Sequence, residues 1–307
     1  MEMHDIEHIR GTISRHKQLD YVFSIIGLTA MLAGILTLLA LFIQLFIDGM
    51  PRFNTDFFTS FPSRRAEHAG ILSAWVGSLL VMTVTAVAAV PIGVASAVYL
   101  EEYAPKNWLT AVIEINVTNL AGIPSIIYGL MALGLFVHTF RLGQSILSAG
   151  LTLALLILPI VITASREAIR AVPANIREAA YALGATKWQT VYDHVLPYST
   201  GGILTGVIIG LSRAIGETAP LITIGALTFI AFLPSPPLIS EFPFISFKWL
   251  LDPFTVMPIQ MFNWTSRPEE AFRHNAAAAG SVLLVMTLAM NGVAIYLRSR
   301  IRTRIKW

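Results

Sequence analysis

Six long apolar runs decide what this chain can fold into. Val22–Ile47 and Ala276–Leu297 carry no charge at all. Ile71–Leu100 and Ser145–Ser165 are also uncharged and contain Pro91 and Pro159. Leu109–Val137 holds one acid, Glu114, and Gly201–Phe232 holds Arg213 and Glu217. Each run reaches the roughly 20 residues a helix needs to cross hydrocarbon. In lipid only helices and closed barrels satisfy their own backbone groups, and these runs lack the short alternating segments of a barrel. The expected fold is therefore all-α: a polytopic transmembrane bundle of six spanning helices. Only 13% of the 307 residues are charged, about half the ~25% of a soluble domain, which argues against disorder and against an ordinary cytosolic enzyme. The chain has no cysteine, so disulfides, thiolate metal sites and cysteine nucleophiles are excluded.

The runs divide the chain into a cytoplasmic tail (1–21), a first spanning helix (22–47), a core (71–297) and a basic tail (298–307). The first run is too long for the apolar part of a secretory signal. With the N-terminus inside, thirteen Lys and Arg fall in inner segments and seven in outer ones, Arg213 lying within a span. Cytoplasmic loops carry the positive excess, so both termini are expected on the cytoplasmic side of the plasma (inner) membrane. The tail with Arg298, Arg300, Arg302, Arg304 and Lys306 contains no acid and reads as an anchor on anionic lipid. A net charge of +3 on so apolar a chain fits lipid headgroups as partners and not nucleic acid.

Two connections are long enough to have a task. In the inner segment 166–200, Pro173 is placed to begin a short helix, Gly184 to interrupt it and Pro197 to end it, giving a helix–turn–helix at the membrane surface; an inert amphipathic connector is the alternative. The outer segment 233–275 holds seven prolines with Trp249 and Trp264, too many prolines for a regular span. It reads as an outer lid, a docking surface or a passive apolar plug.

Arg213 and Glu217 are four residues apart and share one helix face. An arginine at the bilayer centre costs about 2.5–3.5 kcal/mol on insertion scales, so such residues face a bundle interior or a watery cavity. They admit two roles. They can neutralise one another as a structural pair. Alternatively, the planar fork of Arg213 meets a passing oxyanion, while Glu217 steadies it and keeps cargo from being trapped. Intramembrane charges default to the second. Asn116, Asn119, Ser125 and Tyr128 make Leu109–Val137 the other polar span, and Glu114 lies near enough to the inner surface to snorkel. There is no G-x-x-x-x-G-K-[ST] phosphate loop, no HExxH, no GxSxG and no credible histidine site. No catalytic residue, metal or cofactor is expected.

Glu178-Ala179-Ala180, three residues, Gly184, nine residues, then His194, one residue and Leu196-Pro197 resembles the EAA loop of ABC importer permeases. His194 departs from the aliphatic residue of that pattern. Asn119–Gly129, Arg213-Ala-Ile-Gly-Glu-Thr-Ala-Pro220, Leu251–Gln260 and Phe262–Pro268 are similar to the phosphate-import permeases of this type I, binding-protein-dependent family, and the likeness runs from Ile71 to the C-terminus. The resemblance implies the type I importer permease fold and transport of inorganic phosphate. It implies as partners two ABC ATPase subunits that perform the ATP hydrolysis, a sister permease of the PstC type and an extracytoplasmic phosphate-binding protein. It makes Arg213, Glu217 and Thr218 substrate-pathway residues, and Glu178, Ala179, Ala180, Gly184, Leu196 and Pro197 the ATPase-coupling loop. The alternatives are the same architecture carrying sulfate, molybdate or phosphonate, a stand-alone channel or secondary transporter, and an intramembrane enzyme, which the missing nucleophile and metal constellations disfavour.

Overall fold

The structure is a computed structural model that describes residues 3–237, 244 and 246–304, with side chains described from residue 16 to residue 300. The side chains of Arg10, Arg15, Arg302 and Arg304, the loop stretch with Pro243, and Lys306 lie outside the described residues. The described residues are helices and their connections, with no strand. Among the described residues five helices are long and apolar enough to cross a membrane, six if a bent helix pair counts as one span.

The first helix, α1 (Met3–Gly49), has 47 residues, about 70 Å at 1.5 Å per residue. Its apolar side chains from Leu19 to Ile47 are mostly exposed, and it leans chiefly on the last long helix. A short α2 (Thr55–Thr59), capped by the Asn54 side chain, leads into α3 (Leu72–Val98). At its end α3 widens into a π turn over Tyr99–Tyr103.

The expected continuous span 109–137 is instead two helices. The first, α4 (Trp108–Leu120), and the second, α5 (Ser125–Ala132) with its π extension to Thr139, meet at 108°. The break has a local cause. Pro124 has no N–H to donate and pushes Ile123 out of the helical region, and Gly122 precedes both. The 13 residues of α4 are too few to span alone.

The core is α3 packed on α6 (Ile146–Arg170), with α6 packed in turn on α9 (Leu196–Ile215). Close approach of α9 to α6 is permitted by small residues: a Cβ on Gly202 or Gly206 would run into the Ala168 or Ala164 side chain. The Ser212 hydroxyl lies 2.6 Å from Asn291 Oδ1 and ties α9 to α12 (Ala271–Arg304).

Between α6 and α9 lie α7 (Ala174–Ala182) and α8 (Lys187–Thr190), the expected helix–turn–helix. Pro173 sits at the N-cap of α7 rather than inside its first turn. Pro197 does not end a helix: the chain is helical from Lys187 to Ile215. A proline at 197 cannot donate to the carbonyl four residues back, and the ladder absorbs the loss in a π turn over Val191–Val195.

The expected span 201–232 stops at Ile215. After Gly216 the chain makes the short α10 (Ala219–Thr223) and then runs without regular structure. The outer segment 233–275 is partly buried. Phe254, Val256, Met257, Ile259 and Trp264 are buried, the last three within α11 (Met257–Thr265). The backbone of Thr255 lies against Gly77, where a Cβ would collide with its carbonyl, and Met257 N–H donates to Ser78 Oγ at 2.9 Å. Part of the outer loop is thus core.

Candidate functional site

Arg213 lies in the last turn of α9, at a break in the chain and not at the middle of a continuous helix. Its side chain is 44% exposed and Glu217 18%, and Arg213 Nε is 3.5 Å from Glu217 Oε1. That single long contact is not a bidentate fork. Among the described residues neither terminal guanidinium nitrogen hydrogen-bonds within the chain, which leaves most of its five N–H donors free for other acceptors. Thr218 follows at the N-cap position of α10 without capping it by its side chain.

The bend between α4 and α5 meets this break. α5 packs on α10 so closely that a Cβ on Gly129 would collide with Thr223 Oγ1 and lie 2.7 Å from Pro220 Cα. The Tyr128 hydroxyl donates to the Leu120 carbonyl at 2.8 Å, across the bend, and stands within electrostatic reach of Arg213. Two interrupted segments, 119–129 and 213–223, therefore form one unit. Sequence reasoning singled out both stretches but not their contact, because the fit of Gly129 to Pro220 is long-range.

The inner loop is built from two helix-end devices. The N–H of Gly184 donates to the carbonyl of Tyr181 at 2.9 Å, and that of Ala185 to Ala180 at 3.0 Å. This is a Schellman stop, and it requires the left-handed backbone found at Gly184 (φ 84°). Immediately afterwards, Thr186 and Gln189 form a reciprocal capping box that starts α8. Glu178 and Ala179 face outward, Ala180 is buried, and Leu183, at the tip, is 89% exposed. Trp188 stacks on Tyr192, both exposed. Behind α7 lies an apolar cavity of about 300 Å³ lined by Ile176, Ala179, Ala180, Leu183, His194 and Tyr198. His194 thus occupies an apolar lining position, in keeping with the aliphatic residue usual there.

A charged network that the sequence reading missed joins this loop to the spans. Arg177 of α7 donates from Nε and Nη2 to Glu102 Oε1 (3.1 and 2.8 Å) and to the carbonyls of Val172 and Ile169. Glu101, next in the chain, accepts from Arg166 Nε (2.8 Å) and from Arg170 Nη2 (2.7 Å). Arg166 Nη2 is 2.7 Å from Glu114 on α4. Glu114 thus pairs rather than snorkels freely. The signal was present: a lone acid in one apolar run and an arginine at the inner end of another. Among the described residues no group of three or more metal-ligating side chains occurs.

Comparison with known proteins bears on this arrangement. The family model for "Binding-protein-dependent transport system inner membrane component" matches residues 89–305. The phosphate transport system permease protein PstA 1 of Mycobacterium tuberculosis (strain CDC 1551 / Oshkosh) is 41% identical over 155 residues, 50% of this chain and 51% of that protein. The match thus spans about half the length of that relative. PstA of Haemophilus influenzae is 32% identical over 238 residues, covering 77% of this chain and 81% of its own. Among solved structures, the inward-facing MetNI methionine ABC transporter shares the fold, with a TM-score of 0.57 and 17% identity over 73% of this chain and 93% of that one. With its several helices of membrane-crossing length, the chain belongs to the binding-protein-dependent transport system inner membrane components, the family in which its PstA relatives stand.

Proposed function

We propose that this chain is a permease subunit of an ATP-driven importer that carries inorganic phosphate across the plasma membrane. The observation that carries the reading is Arg213, an intramembrane guanidinium held by one 3.5 Å contact to Glu217. Its relatives are named for phosphate transport. An arginine so placed offers a planar set of donors to an oxyanion. Glu217, close by, limits how tightly a dianion is held, which a carrier needs if it is to release its cargo. Thr218 adds a hydroxyl at the same break.

The chain has no nucleotide-binding loop, so the work comes from partners. Two ATPase subunits seat the α7 loop, with Glu178–Gly184 as its core and Leu196–Pro197 joining it to α9. A sister permease of the PstC type supplies the other wall of the pathway, and an extracytoplasmic phosphate-binding protein delivers the cargo. Both termini are cytoplasmic, and the basic tail rests on anionic lipid. ATP binding biases two packings that differ by a few kcal/mol and so alternates access to Arg213.

The test is uptake of labelled phosphate by vesicles containing the complete complex, with sulfate, molybdate and phosphonate as competitors. ATP-dependent phosphate uptake that excess sulfate and molybdate leave unchanged supports the reading. Uptake of another oxyanion in place of phosphate overturns it.

A further inference from the structure

We infer that the consecutive acids Glu101 and Glu102, in the π turn that ends α3, are a relay through which the inner loop controls the hinged helix α4. This rests on reading the chain as an ATP-coupled permease and names the residues that transmit the motion.

The relay is two groups of ion pairs joined through the Glu101–Glu102 backbone. On the loop side, Arg177 of α7 grips Glu102, whose side chain is 8% exposed. One residue away, Glu101 holds both Arg170 and Arg166. Arg166, 10% exposed, reaches on to Glu114 of α4. A helix that moves with its partner therefore meets the bent span through five charged side chains: Arg177, Glu102, Glu101, Arg166 and Glu114.

The far end of the series is built to move. No residue of α4 is buried. Among the described residues Glu114–Arg166 is the one ion pair that joins α4 to another helix. At its outer end α4 is followed by the non-helical Gly122–Pro124 and the 108° turn into α5, where a few backbone dihedrals can absorb a rotation. Between α4 and α6 lies a polar cavity of about 350 Å³, with Glu114, Thr118, Asn119, Thr163, Arg166 and Arg170 on its walls. Rotation of α4 changes the width of this space. The near end is less free: besides Glu102, Arg177 donates to two backbone carbonyls and so moves as part of the α6–α7 corner. The π turn is a widened, irregular ladder, a local geometry frequent at functional positions.

An electrostatic network can also be purely structural, and the two roles differ in additivity. Links in series fail together: once one is cut, cutting the second changes nothing more. Independent structural pairs add. The chain has no native cysteine, so Thr118→Cys with Thr163→Cys reports the α4–α6 distance without background from this subunit.

The complete complex, carrying this cysteine pair, is reconstituted and cross-linked with and without ATP plus vanadate, and ATP turnover and phosphate uptake are followed in parallel. With the relay intact, cross-linking yield changes severalfold with nucleotide. Glu114→Gln, on the half-exposed side of the network, abolishes that response while ATPase activity and co-purification of the subunits persist. Glu102→Gln does the same, and the double variant matches either single one. A nucleotide response that survives Glu114→Gln or Glu102→Gln, or that is absent from the parent complex, overturns the relay. The cross-link reads motion without reference to cargo. A parent complex that responds to nucleotide and hydrolyses ATP but takes up no phosphate would refute the cargo assignment and leave the relay standing.

Discussion

Arg213 makes one long contact to Glu217, a geometry that fits the proposed pathway role better than a tight helix lock. A structural pair in the membrane would be bidentate, since leaving donors unpaired there is expensive. The observed geometry is one contact at 3.5 Å on a half-exposed side chain. Arg213→Gln should abolish phosphate uptake while the variant still co-purifies with its partners. Arg213→Lys keeps the charge but loses the fork and should retain only a fraction of the rate. Normal uptake by Arg213→Gln would reduce the residue to a helix lock. The packing of Gly129 on Pro220 admits no side chain, so Gly129→Leu should disrupt the α5–α10 contact and lower both uptake and thermal stability, read by uptake and by melting of the purified complex. Arg213 and Glu217 were readable from sequence because a charge stands out in an apolar run. Tyr128 was noted as polar, but its hydrogen bond to the Leu120 carbonyl was hidden, because it depends on the bend between α4 and α5.

At the level of elements, the loop between α7 and α8 is assembled from a stop and a start placed back to back. The Schellman turn at Gly184 needs a left-handed residue, and a β-branched side chain there is strained by roughly 1–3 kcal/mol. Gly184→Val combined with Glu178→Lys should leave basal ATP hydrolysis measurable but disconnect it from uptake. Transport that remains stimulated by the binding protein in that variant would show the loop to be a connector only. Sequence punctuation served unevenly here. Gly184 marked a true helix end because its cause is local. Pro197 marked a false one, because a π turn supplies the slack a proline demands. Pro124 broke a run that hydropathy alone reads as continuous. The outer loop's prolines forecast an absence of spanning helix but not that α11 is buried in the bundle. Proline content says nothing about which side chains find a partner.

For the molecule as a whole, the burial is concentrated in α3, α6 and α9, while α1 and α4 lie outside with exposed apolar faces. Such faces suit lipid or a second permease, and six apolar runs made that membrane architecture evident before any coordinates. Vesicles holding this chain alone should show no concentrative phosphate uptake, and uptake should appear only with the ATPase, sister permease and binding protein present. Accumulation by the single chain would end the coupled scheme. The unbroken helix from Lys187 to Ile215 has 29 residues, about 43 Å of rod. One end bears the aromatic pair Trp188–Tyr192 beside the loop, and the other bears Arg213. A rod of that length is a lever arm: tilting its inner end by about 5° swings the guanidinium sideways by about 4 Å, more than the reach of one hydrogen bond. Under the proposed mechanism, a tilt that small would carry the arginine into or out of reach of its cargo without unfolding a single turn.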